Sequence, residues 1–309
     1  MKKFLPIVVV IFILGGLSYY IFNSGNKSSK PNIKKESFIL KDFNKPKNCA
    51  VLPGFLYKKG ILQPIIDLSQ QHYTGIAFYY GKNFDKVLHK KQWEQFEHLG
   101  TYTISSNANI YLTPNPFISI KPTTFNLQKA IYKLDGVTGK LSRWMVIDEV
   151  KPTSQNPYGL ISILFDCKDN TLWVSSIDKS NYKEAKGRIY HIDIKNKKIL
   201  SKTQGFDALT LNWIYTKDNR YIIAGSARDN GVYLFKLKGN SLEPKPIKLF
   251  ELPDPTLRVR KIKVVGKNHL KVEAIKFNYS LVAQTAKKQR VIFDAIYDSK
   301  AKKWTIKKL

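Results

Sequence analysis

The chain has 309 residues, with 52 lysines and arginines against 23 acids, a formal charge of +29, and 43% apolar residues. That apolar content excludes a disordered or low-complexity chain. Two cysteines exclude a multi-bridge disulfide scaffold and a cysteine-based zinc cluster.

Lys2 and Lys3 precede an uncharged run of 19 residues, Phe4 to Phe22. As a helix the run would be about 28 Å long, close to the thickness of bilayer hydrocarbon. It ends on Tyr19-Tyr20-Ile21-Phe22. Bulky aromatics suit an interfacial belt, whereas a cleaved signal ends on small residues. The expectation is an uncleaved signal anchor over residues 1–22, a polar linker over 23–35 and one domain over 36–309. Lys27, Lys30, Lys34 and Lys35 nearly balance the N-terminal charges. A lone span ahead of a large domain then favours export of that domain. This places the protein in the inner (cytoplasmic) membrane with its domain on the extracytoplasmic side. The alternative is a secreted or periplasmic product after cleavage. The first cysteine, Cys49, lies too far from the run for a lipoprotein.

Residues 1–35 hold six lysines and no acid, which leaves 46 − 23 = +23 for the remainder. Only 7 of the 52 basic residues are arginine. Arginine is the side chain suited to bidentate phosphate and base contacts, and the lysines are scattered over loops. The balance therefore points to a solvated basic surface, then to attraction by an anionic surface, and away from nucleic acid.

Beyond residue 36 no long amphipathic helix is visible. The short candidate over 61–70 is interrupted by Pro64. The rest reads as short strands rich in Val, Ile, Tyr, Phe and Trp, bounded by Asn, Asp, Gly and Lys turns. Three stretches align, 158–176, 207–226 and 256–274, with turn residues Asn170, Asn219 and Asn268 spaced 49 and 49 apart. A fourth copy is 99–116, with Asn107 to Asn109 in its turn. A second strand pair follows each copy. It opens with IYKLD (131–135), IYHID (189–193), VYLFK (232–236) and VIFDAIY (291–297). Four strands repeating at about 50 residues form a propeller-blade pattern. Residues 73–98 read as the back half of one more blade. The fold expected is an all-β propeller of five four-stranded blades, or six if residues 36–72 supply strands. A β-sandwich is the competing architecture.

Asp169-Asn170 followed by Leu172-Trp173-Val174-Ser175 resembles the D-x-LWV strand of bacterial sensor and NHL-type propellers. Gly187 to Asp193, and the turn Asp135-Gly136-Val137-Thr138-Gly139-Lys140, resemble the strand and turn of gluconolactonase-like and strictosidine-synthase-like propellers. The resemblance covers roughly residues 98–300 and implies architecture. It also implies a divalent cation such as Ca²⁺ in a central channel. Yet no acidic residue stands at the start of every unit, and the family's metal ligands find no residue-by-residue match.

Residues entering the innermost strands are the first place to seek a ligand site. Aligned on the turns, Tyr158, Asp207 and Thr256 share one position, with Arg258 two residues further on. Asp207 and Arg258 would face the channel mouth with Asn156 and Arg260 nearby. They would bind a polar or anionic ligand, or Asp207 would help hold Ca²⁺. The other reading is an ion pair with loop-capping Asx turns. A second candidate is Arg228-Asp229, presented by the tight Gly225–Gly231 connection.

His72, His89, His98, His191 and His269 share no metal spacing. No G-x-S-x-G, Walker loop or strand-associated G-x-G-x-x-G occurs, so no catalytic residue is assigned. Cys49 and Cys167 would either staple the N-terminal segment to a middle blade or remain two independent thiols. The reading is a membrane-anchored extracytoplasmic propeller that binds a protein or a small polar or anionic ligand, without cofactor. Its alternative is a metal-dependent, lactonase-like hydrolase.

Overall fold

The computed structural model describes residues 38–117, 125–280 and 290–309. The expected anchor and linker, residues 1–35, lie outside these. Among the described residues no helix is long and apolar enough to cross a membrane. Residues 39–309 form one compact unit.

Two short elements come first, strand β1 (Phe43–Asn44) and helix α1 (Gly54–Tyr57). Blade 1 is three-stranded: β2 (Ile65–Asp67), β3 (Ala77–Tyr80) and β4 (Lys86–Leu88). Blade 2 holds β5 (Leu99–Ile104), β6 (Ile110–Pro114), β7 (Ala130–Leu134) and β8 (Leu141–Val146). Blade 3 holds β9 (Leu160–Asp166), β10 (Thr171–Ser176), β11 (Arg188–Asp193) and β12 (Lys198–Gln204). Blade 4 holds β13 (Ala208–Thr216), β14 (Arg220–Ser226) and β15 (Gly231–Lys238). The short β16 (Ser241–Leu242) and β17 (Ile247–Glu251) both pair with β15. Blade 5 holds β18 (Leu257–Gly266), β19 (His269–Lys276), β20 (Val291–Asp298) and β21 (Lys303–Lys308). All pairings are antiparallel and join chain neighbours, except β1 with β13 and β15 with β17, and β5, β9, β13 and β18 stand side by side as innermost strands.

Five blades are present among the described residues. Residues 36–72 do not supply a sixth, because β1 joins the edge of β13 and β2 belongs to blade 1. The stretch 61–70 forms a strand rather than a helix, and blade 1 falls one strand short of four.

The repeat has a local cause. The third strands of blades 3 and 5 end on an aspartate and that of blade 2 is followed at once by one, and each aspartate accepts backbone N–H groups of the following turn. Asp135 takes Val137 and Thr138, Asp193 takes Lys195 and Asn196, and Asp298 takes Lys300 and Ala301. Four residues after each aspartate the chain turns left-handed, at Gly139 (φ 68°), Lys197 (φ 52°) and Lys302 (φ 54°). The aspartate offsets part of the cost of a positive φ at the lysines by fixing the turn. Asn170 and Asn268, at φ 52° and 54°, do the same between first and second strands.

Blades are joined by packed aromatics and by side chains reaching backbone. Trp173 is 1% exposed, packs with Trp213 and Ile222 of blade 4, and stacks on His191 at 4.0 Å. His191 contacts Thr171 Oγ1 and the Asn240 carbonyl of blade 4, both at 2.8 Å. The Trp213 indole N–H donates to Phe165 O at 3.0 Å. Arg220 pairs with Asp166 and Asp169 of blade 3.

Residues 39–50 form a strap across the face made by the hairpin turns. Tyr297 of blade 5 donates to Leu40 O at 2.8 Å. Asn268 accepts the Phe43 N–H at 2.8 Å and gives its own N–H to Phe43 O at 2.9 Å. β1 then pairs with Thr216 and Tyr215 of blade 4. Cys49 is disulfide-bonded to Cys167 of blade 3, with Cα atoms 6.0 Å apart. After the bridge, Phe55 of α1 donates its N–H to Gly136 O of blade 2 at 3.2 Å. One chain segment thus ties blades 5, 4, 3 and 2 before blade 1 begins.

Candidate binding site at the channel mouth

Every innermost strand of blades 2 to 5 is bulged near its start. Ile161, Leu209 and Arg260 fall out of register with their partner strands, as does the Gly100-Thr101 step of β5. A bulge re-aims side chains and frees a backbone carbonyl from the ladder. The freed carbonyls are taken up by neighbouring blades. Ile161 O accepts Thr101 Oγ1 at 3.2 Å, and Leu209 O accepts an Arg260 N–H at 3.4 Å. The ring of bulge positions therefore holds one charged side chain, Arg260, among neutral ones.

Asp207 lies just before β13, with its side chain fully buried. Its Oδ1 accepts Ser180 Oγ at 2.6 Å and Gly187 N–H at 2.7 Å, and its Oδ2 accepts the Tyr279 hydroxyl at 2.6 Å. Burial and this carboxylate hold the Tyr279 phenol far above its ordinary range. Gly187 is required here, because a Cβ would sit 2.5 Å from Asp207 Oδ1.

The other residues singled out in the sequence divide around this network. Asn156 is 3% exposed and gives its amide to the carbonyls of Ile177 and Ser180, each at 2.8 Å, while its oxygen accepts the Tyr158 N–H. Tyr158 packs in an apolar cluster with Leu209, Ala227, Tyr279 and Phe277, and burial raises its phenol. Arg258 does not meet Asp207; its guanidinium donates to the carbonyls of Ala227, Pro255 and Leu257. Arg228 does meet it, at 3.7 Å. Arg228 also donates to the carbonyls of Asn181 and Tyr182, at 2.7 and 2.9 Å. Asp229 turns away and takes the Tyr233 hydroxyl and Lys248. The two candidate sites share one network through Arg228, and Arg258 stands outside it.

Arg260 differs from all of these. Its single hydrogen bond among the described residues is the 3.4 Å contact to Leu209 O, and it forms no ion pair there. Burial lowers its pKa, as it lowers that of the adjacent Lys261. Glu273, opposite Lys261 across the β18–β19 ladder, is an acid whose charge favours both cations, and it pairs at 3.6 Å with Arg290. Three cations thus surround one carboxylate at the channel edge of blade 5. Five N–H donors with one long bond leave a guanidinium able to take a carboxylate or phosphate in bidentate fashion.

Ser180 and Tyr279 are the partners of Asp207 that sequence reasoning missed, since they lie on loops outside the aligned strands. Lys261 was visible in principle. The run Arg258-Val259-Arg260-Lys261-Ile262-Lys263 stands where the other units carry Leu-Ile-Ser-Ile-Leu and Leu-Thr-Leu-Asn-Trp. Among the described residues no three His, Cys, Asp or Glu side chains gather into a group that could hold a metal ion. Both Asp207 oxygens are already engaged by protein donors.

These sheets define a five-bladed β-propeller. No family model and no curated protein matches the chain. Among solved structures it is similar to the dihydro-heme d1 dehydrogenase NirN in complex with DHE, at 10% identity and a TM-score of 0.41, covering 80% of this chain and 44% of that one. It is also similar to a chain of the Saccharomyces cerevisiae Dbp5 complex with Nup159, Gle1, IP6 and ADP, at 11% identity and a TM-score of 0.41, covering 88% and 68%. A third is a GH43 β-1,3-galactosidase with galactodeoxynojirimycin, at 9% identity and a TM-score of 0.39, covering 68% and 74%. At such scores the likenesses carry nothing about what this chain binds.

Proposed function

We propose that the protein is a membrane-anchored, extracytoplasmic β-propeller that binds a small anionic ligand at its channel mouth. The observation that carries the binding reading is Arg260, a guanidinium at the bulge ring with one long hydrogen bond and no ion pair among the described residues. Lys261 and Arg290 add positive charge, and Glu273 offsets only part of it. Asp207, Arg228, Ser180 and Tyr279 frame the mouth rather than contact the ligand. The compartment is supported by the apolar run over residues 4–22 and by the Cys49–Cys167 bridge, because such bridges persist in oxidising compartments. Kinship with NHL and gluconolactonase-like propellers remains part of this proposal, at the level of strand motifs. The alternative, a metal-dependent hydrolase, would need a cluster of three metal-ligating side chains, and none occurs among the described residues.

The test uses inorganic phosphate, pyrophosphate and citrate as probes in thermal-shift titrations of the full chain. At least one should raise the melting temperature of the parent protein and leave Arg260→Gln unmoved. A charge-loss control on the outer loop, Lys90→Gln, should respond like the parent. Equal shifts in parent and Arg260→Gln would remove the site from the channel.

A further inference from the structure

The two faces of the propeller differ in charge. One face carries the strap, α1 and the hairpin turns 81–85, 105–109, 135–140, 167–170, 194–197, 217–219, 239–240, 267–268 and 299–302. Over residues 39–60 and those turns, 14 lysines stand against 5 acids. The opposite face is built from the remaining loops. Over its described parts 9 lysines and arginines stand against 9 acids.

The acids of the strap face are largely committed. Asp42 pairs with Lys267, Asp218 with Lys41, and Asp169 with Arg220. Lys45, Lys47, Lys195, Lys197, Lys300 and Lys302 are exposed and form no ion pair among the described residues. Asx turns project the last four outward from blades 3 and 5. The chain also runs along this face at Leu40 and Lys41, which are held by Tyr297 and Asp218. Only 16 residues separate Phe22 from Ile39. Even fully extended they reach at most about 60 Å.

We infer that the strap face docks onto the anionic headgroups of the bilayer in which the same chain is anchored. This rests on the anchored reading above. Lysines near an anionic leaflet each add a modest attraction that falls off within a Debye length, so a cluster held close by a short tether is the arrangement that profits. The neutral face, with Arg260 and the channel mouth, is then turned away from the membrane toward its ligand.

The test reconstitutes the full chain in nanodiscs of phosphatidylcholine alone and of phosphatidylcholine with phosphatidylglycerol. Hydrogen exchange is then followed at turns 194–197 and 299–302, and at loop 227–230 on the opposite face. Docking predicts that the two turns exchange at least about fivefold more slowly in anionic discs, the factor carried by even one lysine contact. Loop 227–230 should be unchanged, salt should reverse the effect, and Lys195→Gln/Lys197→Gln/Lys300→Gln/Lys302→Gln should abolish it. Identical exchange in both lipids, or slowing confined to loop 227–230, overturns the docking. Retention of the chain in either disc reports separately on the anchor. Should zwitterionic discs fail to retain it, the anchored reading falls, and co-sedimentation of the full chain with anionic vesicles decides docking, absence of binding refuting it.

Discussion

Arg228 stands 3.7 Å from Asp207 and gives its hydrogen bonds to the carbonyls of Asn181 and Tyr182. A loop of blade 4 is thereby clasped to a loop of blade 3, with the buried carboxylate as the fixed point. Asp207→Ala would strand Ser180, Gly187 and Tyr279 donors in a buried site. Loss of such a charged hydrogen-bond network should cost about 3 kcal/mol or more. Arg228→Ala, at a half-buried position, should cost about 1 kcal/mol, and the double mutant should fall short of the sum. Denaturant titrations of the three variants check this. An Asp207→Ala protein as stable as the parent would show that the network does not hold the mouth together.

The strap should loosen first when the bridge is opened. Cys49 and Cys167 are 118 residues apart, so their link removes much freedom from the unfolded chain. Cys49→Ser/Cys167→Ser should lose about 2–4 kcal/mol. Limited proteolysis should cut the variant within residues 39–53 while the blades stay intact. Cleavage inside a blade at the same rate would mean that the strap is not the weakest tie.

Trp173 fills the seam between blades 3 and 4, so Trp173→Ala should cost about 3–5 kcal/mol. A loss under about 1 kcal/mol would contradict the packing of this seam.

Stability should also fall in mild acid. Burial lowers the pKa of His191 and of His98 below the ordinary histidine value. Between the folded and unfolded values the unfolded chain binds more protons. Stability therefore rises with pH up to about 6.5 and is flat above it, as far as these two groups are concerned. Urea titrations across that range should show the slope, and His191→Gln should reduce it. A parent protein equally stable on both sides of this window would contradict the burial of the two rings. Asp135, held near a pKa of about 2 chiefly by the Thr138 N–H, should add a further loss only at much lower pH.

Much of this fold was legible because its turns are chemically marked. The aspartates ending each IYxxD strand and the asparagines at positive φ are local devices, so the 49-residue spacing of Asn170, Asn219 and Asn268 survives folding. The register failed where bulges intervene. The bulge residues Leu209 and Arg260 are 51 apart, not 49, because Leu209 lies 10 residues before Asn219 and Arg260 only 8 before Asn268. The residue before each bulge-flanking position is Asp207 in blade 4 and Arg258 in blade 5, so Thr256 was not the true counterpart of Asp207. The strap left no periodic signal, since β1 has two residues and pairs with a strand more than 170 positions away. The candidate site was half visible. Asp207, Arg228 and Arg260 were all singled out, but which of them would be neutralised depends on Ser180, Tyr279 and the bulge geometry, which no local pattern encodes.

The most direct measurement is thiol trapping of the natively expressed chain in isolated membranes, combined with sequencing of its N-terminus. A propeller anchored outside the cytoplasm should appear in the membrane pellet with Met1 or Lys2 as its first residue. It should take up no alkylating reagent until reduced, because Cys49 and Cys167 are bonded. A soluble chain that reacts at both cysteines without reduction would contradict the anchor and the compartment together.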